Sequence, residues 1–141
     1  GERLKGYRQA LREAEIPFQK EYITYGAYST ASGYERVRHI IEAYPETDAI
    51  FAGADTIAIG VLRALRELNI PVPGQVSVLG FDNIMLSADL TPTLTTVAQP
   101  IYEMGYRAAR KLLALIGGDP EGAKSECMST TLVQRESTRS R

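Results

Sequence analysis

Two neighbouring stretches decide how this chain is read: Val76-Ser77-Val78-Leu79-Gly80-Phe81-Asp82-Asn83, and Leu94-Thr95-Thr96-Val97-Ala98-Gln99. The first is an apolar run of strand type that stops abruptly at Asp82. The second is shorter and ends on the polar Gln99. In an open α/β sheet, ligands bind just beyond the carboxyl ends of the strands. A carboxylate placed there points into the crevice and accepts hydroxyl or amine hydrogens. These stretches predict one wall of a ligand pocket, with no catalytic machinery attached.

Working outward, helix and strand patterns alternate. Residues 3–14 place Leu4, Tyr7, Leu11 and Ala14 on one helical face, and Pro17 ends that helix. Glu21 to Tyr25 reads as a strand broken by Gly26. A second helix covers about 29–44, starting at Ser29, Thr30 or Ser32, because Ser32 and Glu35 have capping-box spacing. Its apolar face is Tyr34, Val37, Ile40, Ile41 and Tyr44. Residues 48–53 read as a short buried strand. Asp55 stands where a helix N-cap belongs. The helix 56–68 is expected to bury Ile57, Val61, Leu62, Leu65 and Leu68, with Asn69 closing it. Pro71 and Pro73-Gly74 make the next turn.

Beyond Gln99, Pro100 opens a helix that runs to about Ile116, and Gly117-Gly118 stops it. Asp119-Pro120 begins a loop, residues 128–134 read as a last strand, and Glu136 to Arg141 is a polar tail. The order α-β-α-β-α-β-β-α-β implies an α/β fold, a mostly parallel sheet with helices on both faces. The chain opens on a helix, without the strand expected before it, which is the pattern of a fragment.

At 141 residues the chain is long enough for one domain with a real core. Sixteen basic and seventeen acidic side chains give a net charge of −1. That is no electrostatic footprint for nucleic acid or an anionic membrane. No apolar stretch approaches the roughly 20 residues of a membrane span, and no signal peptide is visible. The single cysteine, Cys127, fits a reducing compartment and reads as an inert buried thiol.

Enzyme motifs are missing: there is no phosphate loop, no GxGxxG and no GxSxG. His39, next to Arg38, reads as a surface residue of a helix. No cluster has metal-ligand spacing, and no cofactor is implied. The polar candidates lie at strand-to-helix junctions. Asp82 either contacts a ligand or caps a short helical turn around Met85 to Ala88. Asp55 either caps its helix or faces the crevice, where Ala54 would let a ligand approach the backbone. Gln99 either bonds a ligand with both ends of its amide or is an ordinary loop residue. Tyr28 either stacks on a flat ligand or packs over a helix end. From spacing alone, Arg3 is a solvated helix-terminal arginine.

Several blocks carry a resemblance. Phe51 to Gly60 is similar to the "F..ND..A.G" segment of the lactose/galactose-repressor family of bacterial transcription regulators. Pro71-Val72-Pro73 through Asn83 resembles its "G..VP..VSVIGFDD" block. Thr91 to Pro100 resembles "PPLTTV.QP", Leu132 to Ser137 resembles the ending "L+.R.S", and Arg3-Leu4-Lys5-Gly6-Tyr7 resembles the opening "R..G+". The match covers nearly the whole chain in order.

The resemblance implies a type I periplasmic-binding-protein fold of two hinged, three-layer Rossmann-like lobes. Residues 1–98 would be the C-terminal lobe, 99–118 a helix normally belonging to the N-terminal lobe, and 119–141 a return strand and tail. The DNA-binding domain and most of the first lobe would lie outside this sequence, so operator DNA would be bound only through a helix-turn-helix not present here.

It further implies a small-molecule effector, a sugar or nucleobase-like metabolite, held by Arg3, Tyr28, Asp55, Asp82 and Gln99. Ala54 departs from the Asn that sugar-binding members place there. The resemblance also implies a cytoplasmic homodimer, with Ile59, Leu62, Leu86 and Leu90 at its interface or in core packing. In one branch a basic face on the 101–116 helix docks a phosphocarrier protein; Arg110 and Lys111 match it and Ala114 does not. A periplasmic sugar-binding protein of a transporter shares the fold, but the 94–100 and 132–137 blocks favour a repressor. A small Rossmann-like enzyme lacks a nucleophile-base pair.

Overall fold

A computed structural model describes residues 1–139 of the chain. Its helices are α1 (Glu2–Glu13), α2 (Thr30–Ala43), α3 (Asp55–Glu67) and α4 (Ile101–Ile116). Its strands are β1 (Ala49–Phe51), β2 (Ser77–Asp82), β3 (Thr95–Ala98) and β4 (Thr131–Val133). They form one sheet in the order β1-β2-β3-β4. β1, β2 and β3 are parallel, and β4 returns antiparallel to β3. This is the mostly parallel α/β sheet that the alternation predicts.

The core lies between α3, α2 and the middle of the sheet. Val37, Ala58, Val61, Ala64, Leu65, Val76, Val78 and Leu94 are buried together there. The periodicity of α3 drives this burial, because its apolar residues recur on one face. α2 crosses α3 at backbone contact. A Cβ on Gly60 would lie 1.9 Å from the Thr30 carbonyl oxygen, so only glycine lets the two helices meet.

Helix ends follow local chemistry. The Ser29 side chain caps α2 by accepting from the Ser32 backbone N–H at 3.2 Å, which settles the three-way choice of start. α1, α3 and α4 each finish with a left-handed residue: Glu15 (φ 57°), Asn69 (φ 56°) and Gly118 (φ 82°). In each, the next N–H reaches back to close the last turn: Ile16 to Leu11, Ile70 to Leu65, Asp119 to Ala114. α1 therefore stops at Glu13, before Pro17 acts.

Three expectations need correction. Glu21 to Tyr25 is no strand: Lys20–Tyr22 forms a 3-10 turn flanked by extended residues. Strand character needs a hydrogen-bonded neighbour, and this segment has none among the described residues. The loop at Asp119-Pro120 tightens into a 3-10 turn over Pro120–Ala123. Cys127 is exposed, since its segment runs over the surface. Leu62 is 8% exposed and packs in the core, as the apolar face of its helix predicts.

α1 and α4 bury no residue completely. On α4, Met104, Leu112 and Leu115 stand exposed on the apolar face. Among the described residues, no helix is long and apolar enough to cross a membrane. Residues 140 and 141, the end of the polar tail, lie outside the described residues.

Candidate functional site

The carboxyl ends of β1, β2 and β3 share one edge of the sheet, and polar side chains gather there. Asp82 is the last residue of β2, and its Oδ1 accepts from Gln99 Nε2 at 2.7 Å. Gln99 follows β3 directly. Parallel pairing of Asp82 with Ala98 makes this contact possible, because it sets the next residue of β3 beside the carboxyl group. Oδ2 of Asp82 has no hydrogen-bond partner among the described residues.

Asp82 has φ 114°, a backbone region that L-residues avoid. Asn83 follows at φ 54°. Such outliers persist only where surrounding contacts over-determine them, and they gather at ligand sites. Here the contacts can be named. The Asn83 Oδ1 accepts from Arg135 Nη2 at 2.8 Å, and Arg135 Nη1 donates to the Leu94 carbonyl at 2.7 Å. The Asn83 N–H also donates to Thr96 Oγ1 at 3.3 Å.

Arg3 reaches the same edge from α1. Its Nη1 donates to the Gly53 carbonyl at 2.9 Å and to the Tyr28 hydroxyl at 3.4 Å. Its guanidinium lies 3.9 Å from the centre of the Phe81 ring, a cation–π stack. It is therefore a held side chain, unlike the solvated arginine its spacing suggests. Tyr28 is 70% exposed. Arg3 and Asp82 form no ion pair, so cation and carboxylate both keep polar groups for a ligand.

Asp55 is placed differently. Ala54 is the N-cap of α3, and Asp55 is its first residue, fully buried. Its Oδ2 accepts from Ser87 Oγ at 2.6 Å and from the Ile84 N–H at 3.0 Å, and its Oδ1 from Thr96 Oγ1 at 2.6 Å. These bonds tie α3 to β3 and to the 3-10 turn Met85–Ala88. Asp55 thus supplies that turn with the polar contact that Asp82 was a candidate to give. Gly80 makes room for it: a Cβ there would sit 2.1 Å from Asp55 Oδ1.

Sequence reasoning missed this buried cluster, and it missed what Ser137 does. The buried Ser137 hydroxyl donates to the Val78 carbonyl at 2.6 Å and accepts from the Thr95 N–H at 2.8 Å. The available signal was the motif ending in Arg135 and Ser137.

Of the remaining interface candidates, Leu86 is 48% exposed. Ile59 is half-buried, and Leu90 packs partly against the core. His39 is exposed on α2, as expected. Among the described residues, no group of His, Cys, Asp or Glu could hold a metal ion. The rim can therefore hydrogen-bond and stack on a polar, flat-faced molecule, and it presents no nucleophile with a base beside it.

A mostly parallel sheet with an acceptor, an amide, a held guanidinium and an exposed aromatic at its carboxyl edge defines an α/β lobe with a polar rim. The chain belongs to the periplasmic binding protein-like domain family, whose model matches residues 1–138. It is similar to catabolite control protein A of Priestia megaterium, with 39% identity over 78% of this chain and 33% of that protein. It is also similar to the HTH-type transcriptional repressor CytR of Escherichia coli K12, with 36% identity over 97% of this chain and 40% of that protein.

Among solved structures, the transcriptional regulator CelR in complex with cellobiose superposes with TM-score 0.87 and 34% identity, over 96% of this chain and 42% of that one. The resemblance to the lactose/galactose-repressor family holds, and these relatives are transcriptional regulators. The chain spans 33% and 40% of the length of the two relatives.

Proposed function

We propose that this chain is the effector-binding and dimerisation part of a transcriptional regulator responding to a sugar or nucleobase-like metabolite. The observation that carries the reading is the convergence of Arg3, Tyr28, Asp82 and Gln99 on one sheet edge, with Arg3 and Asp82 not neutralising each other. Asp82 Oδ2 accepts ligand hydroxyl or amine hydrogens. Arg3 donates to ligand oxygens, and Tyr28 covers a ring face. Asp55 supports this rim from below. No step of this reading needs a catalytic group or a cofactor.

Residues 1–98 act as one lobe. The helix around 99–118 packs its apolar face on a second lobe, and 119–141 returns to the first. The bare face of α4 supports this division. Ligand held between lobes favours one hinge angle, by no more than its differential affinity for the two states. Leu86, Leu90 and Ile59 pair two copies in the cytoplasm, and lobe rotation changes the spacing of two DNA-reading heads. Those heads are helix-turn-helix units outside this chain.

Titration of the chain with a panel of sugars and nucleosides, followed by amide chemical shifts, tests the reading. One ligand class is expected to shift Tyr28, Asp82 and Gln99. Asp82→Asn is expected to weaken its binding about tenfold or more, the scale of a lost charged hydrogen bond. Shifts confined to other surfaces, or no response from any of the panel, would refute it.

A further inference from the structure

Arg135 belongs to the terminal return segment, 52 positions from Asn83 in sequence, and its half-buried side chain ends beside the rim. Its backbone is held on both sides. The N–H donates to the buried Thr95 Oγ1 at 2.9 Å, and that hydroxyl donates to the Arg135 carbonyl at 3.1 Å. From this mount, Nη1 reaches the Leu94 carbonyl and Nη2 reaches Asn83 Oδ1. Two arms of one planar fork thus join the residue before β3 to the residue after β2. Both acceptors are neutral carbonyl oxygens. Among the described residues, Arg135 forms no ion pair. The guanidinium is therefore used here for its shape, not for charge pairing.

We infer that Arg135 is a positioning residue for the binding carboxylate: it locks Asn83, and through Asn83 it aims Asp82 at the rim. This rests on the reading of the rim as an effector site. Asn83 sits at φ 54°, a left-handed conformation that asparagine tolerates. Two clamps hold it there, Arg135 on the side chain and Thr96 Oγ1 on the N–H. That N–H belongs to the peptide joining Asp82 to Asn83, so the clamps fix the plane that follows Asp82.

Asp82 itself, at φ 114°, has no such tolerance, and its conformation depends on what holds the peptide beyond it. With that peptide fixed, the carboxyl group meets Gln99 Nε2 at 2.7 Å and keeps Oδ2 for a ligand. Lysine cannot do the work of the fork. A compact ammonium lacks the rigid spread of donors that serves Leu94 and Asn83 together.

The test reads the Asp82–Gln99 bond in the 141-residue chain without ligand, as solvent exchange of the Gln99 side-chain amide protons followed by NMR. Arg135→Met and Arg135→Lys are both expected to quicken that exchange about fivefold or more, the scale of one lost hydrogen bond. Asn83→Gly leaves Arg135 bonded to Leu94 and should quicken exchange by a similar factor; it decides the matter if Arg135→Met does not fold. In the Asn83→Gly background, Arg135→Met should alter Gln99 exchange no further. It should still lower the melting temperature there, because the Leu94 bond remains to be lost. Any ligand found in the sugar and nucleoside titration should bind Arg135→Lys about fivefold or more weakly.

Unchanged Gln99 exchange in Asn83→Gly or Arg135→Lys would overturn the proposal. So would a full effect of Arg135→Met in the Asn83→Gly background, or undiminished ligand binding alongside quickened exchange. Silence of the whole panel would instead refute the effector site, and the exchange measurements would still decide whether Arg135 places Asp82.

Discussion

Asp55 and Ser87 stand 32 positions apart in sequence and share a 2.6 Å hydrogen bond in the interior. Thr96 Oγ1 and the Ile84 N–H complete the ring of donors around the same carboxyl group. The loop that follows Asp82 is therefore anchored from beneath by a residue of another element.

Removing that anchor is expected to be costly. Asp55→Ala leaves two hydroxyls and an N–H without an acceptor, at about 1–3 kcal/mol for each buried group left unpaired. Urea unfolding should show a loss of about 3 kcal/mol or more. Gly80→Ala drives a methyl group into the same carboxyl group and into Leu94, and should cost about 1–3 kcal/mol.

The Ser137 hydroxyl joins the Val78 carbonyl to the Thr95 N–H where β2 and β3 begin. Ser137→Ala is expected to lower stability by about 1–3 kcal/mol. Exchange of the Thr95 amide should quicken before that of the α3 amides.

At Asp82 the backbone and the side chain make opposite demands. Asp82→Ala and Asp82→Gly both delete the carboxyl group, so their difference reports φ 114° alone. The glycine variant should be more stable than the alanine variant by about 1 kcal/mol or more. Both should lose ligand binding. Equal stabilities would show that the backbone there is unstrained.

Arg3→Lys keeps the charge but loses the planar stack on Phe81 and the fork that meets Gly53 and Tyr28. Lysine is no conservative replacement at a stacked site. Ligand affinity should fall roughly tenfold, the scale of about 1.4 kcal/mol.

Glu136 accepts from the Thr93 N–H and Thr93 Oγ1, both at 3.0 Å. The backbone bond, then the hydroxyl bond, hold its carboxyl below the usual glutamate range. A depressed folded value means that the contribution is present above the unfolded pKa, about 4.3, and is lost as pH falls through the folded one. The melting difference between the wild type and Glu136→Gln should be present at neutral pH and shrink toward zero in acid.

Asp82 and Gln99 were legible because a strand-type run that ends on a polar residue marks the carboxyl edge of a parallel sheet. Arg3 and Tyr28 were not legible from spacing, since they come from a helix and a loop that only tertiary contact brings to Gly53. Asp55 looked like a cap because its local context is a helix start. Its partners lie 29 to 41 positions away.

Periodicity, prolines and capping residues, which act within a few positions, determined the helices, the parallel order of the central strands and the polar ends of those strands. Tertiary structure alone decided whether Glu21 to Tyr25 is a strand and whether Asp55 faces a ligand or the interior. Both depend on a partner distant in sequence: a strand exists only against a neighbour, and a buried carboxyl group only among donors that other segments supply.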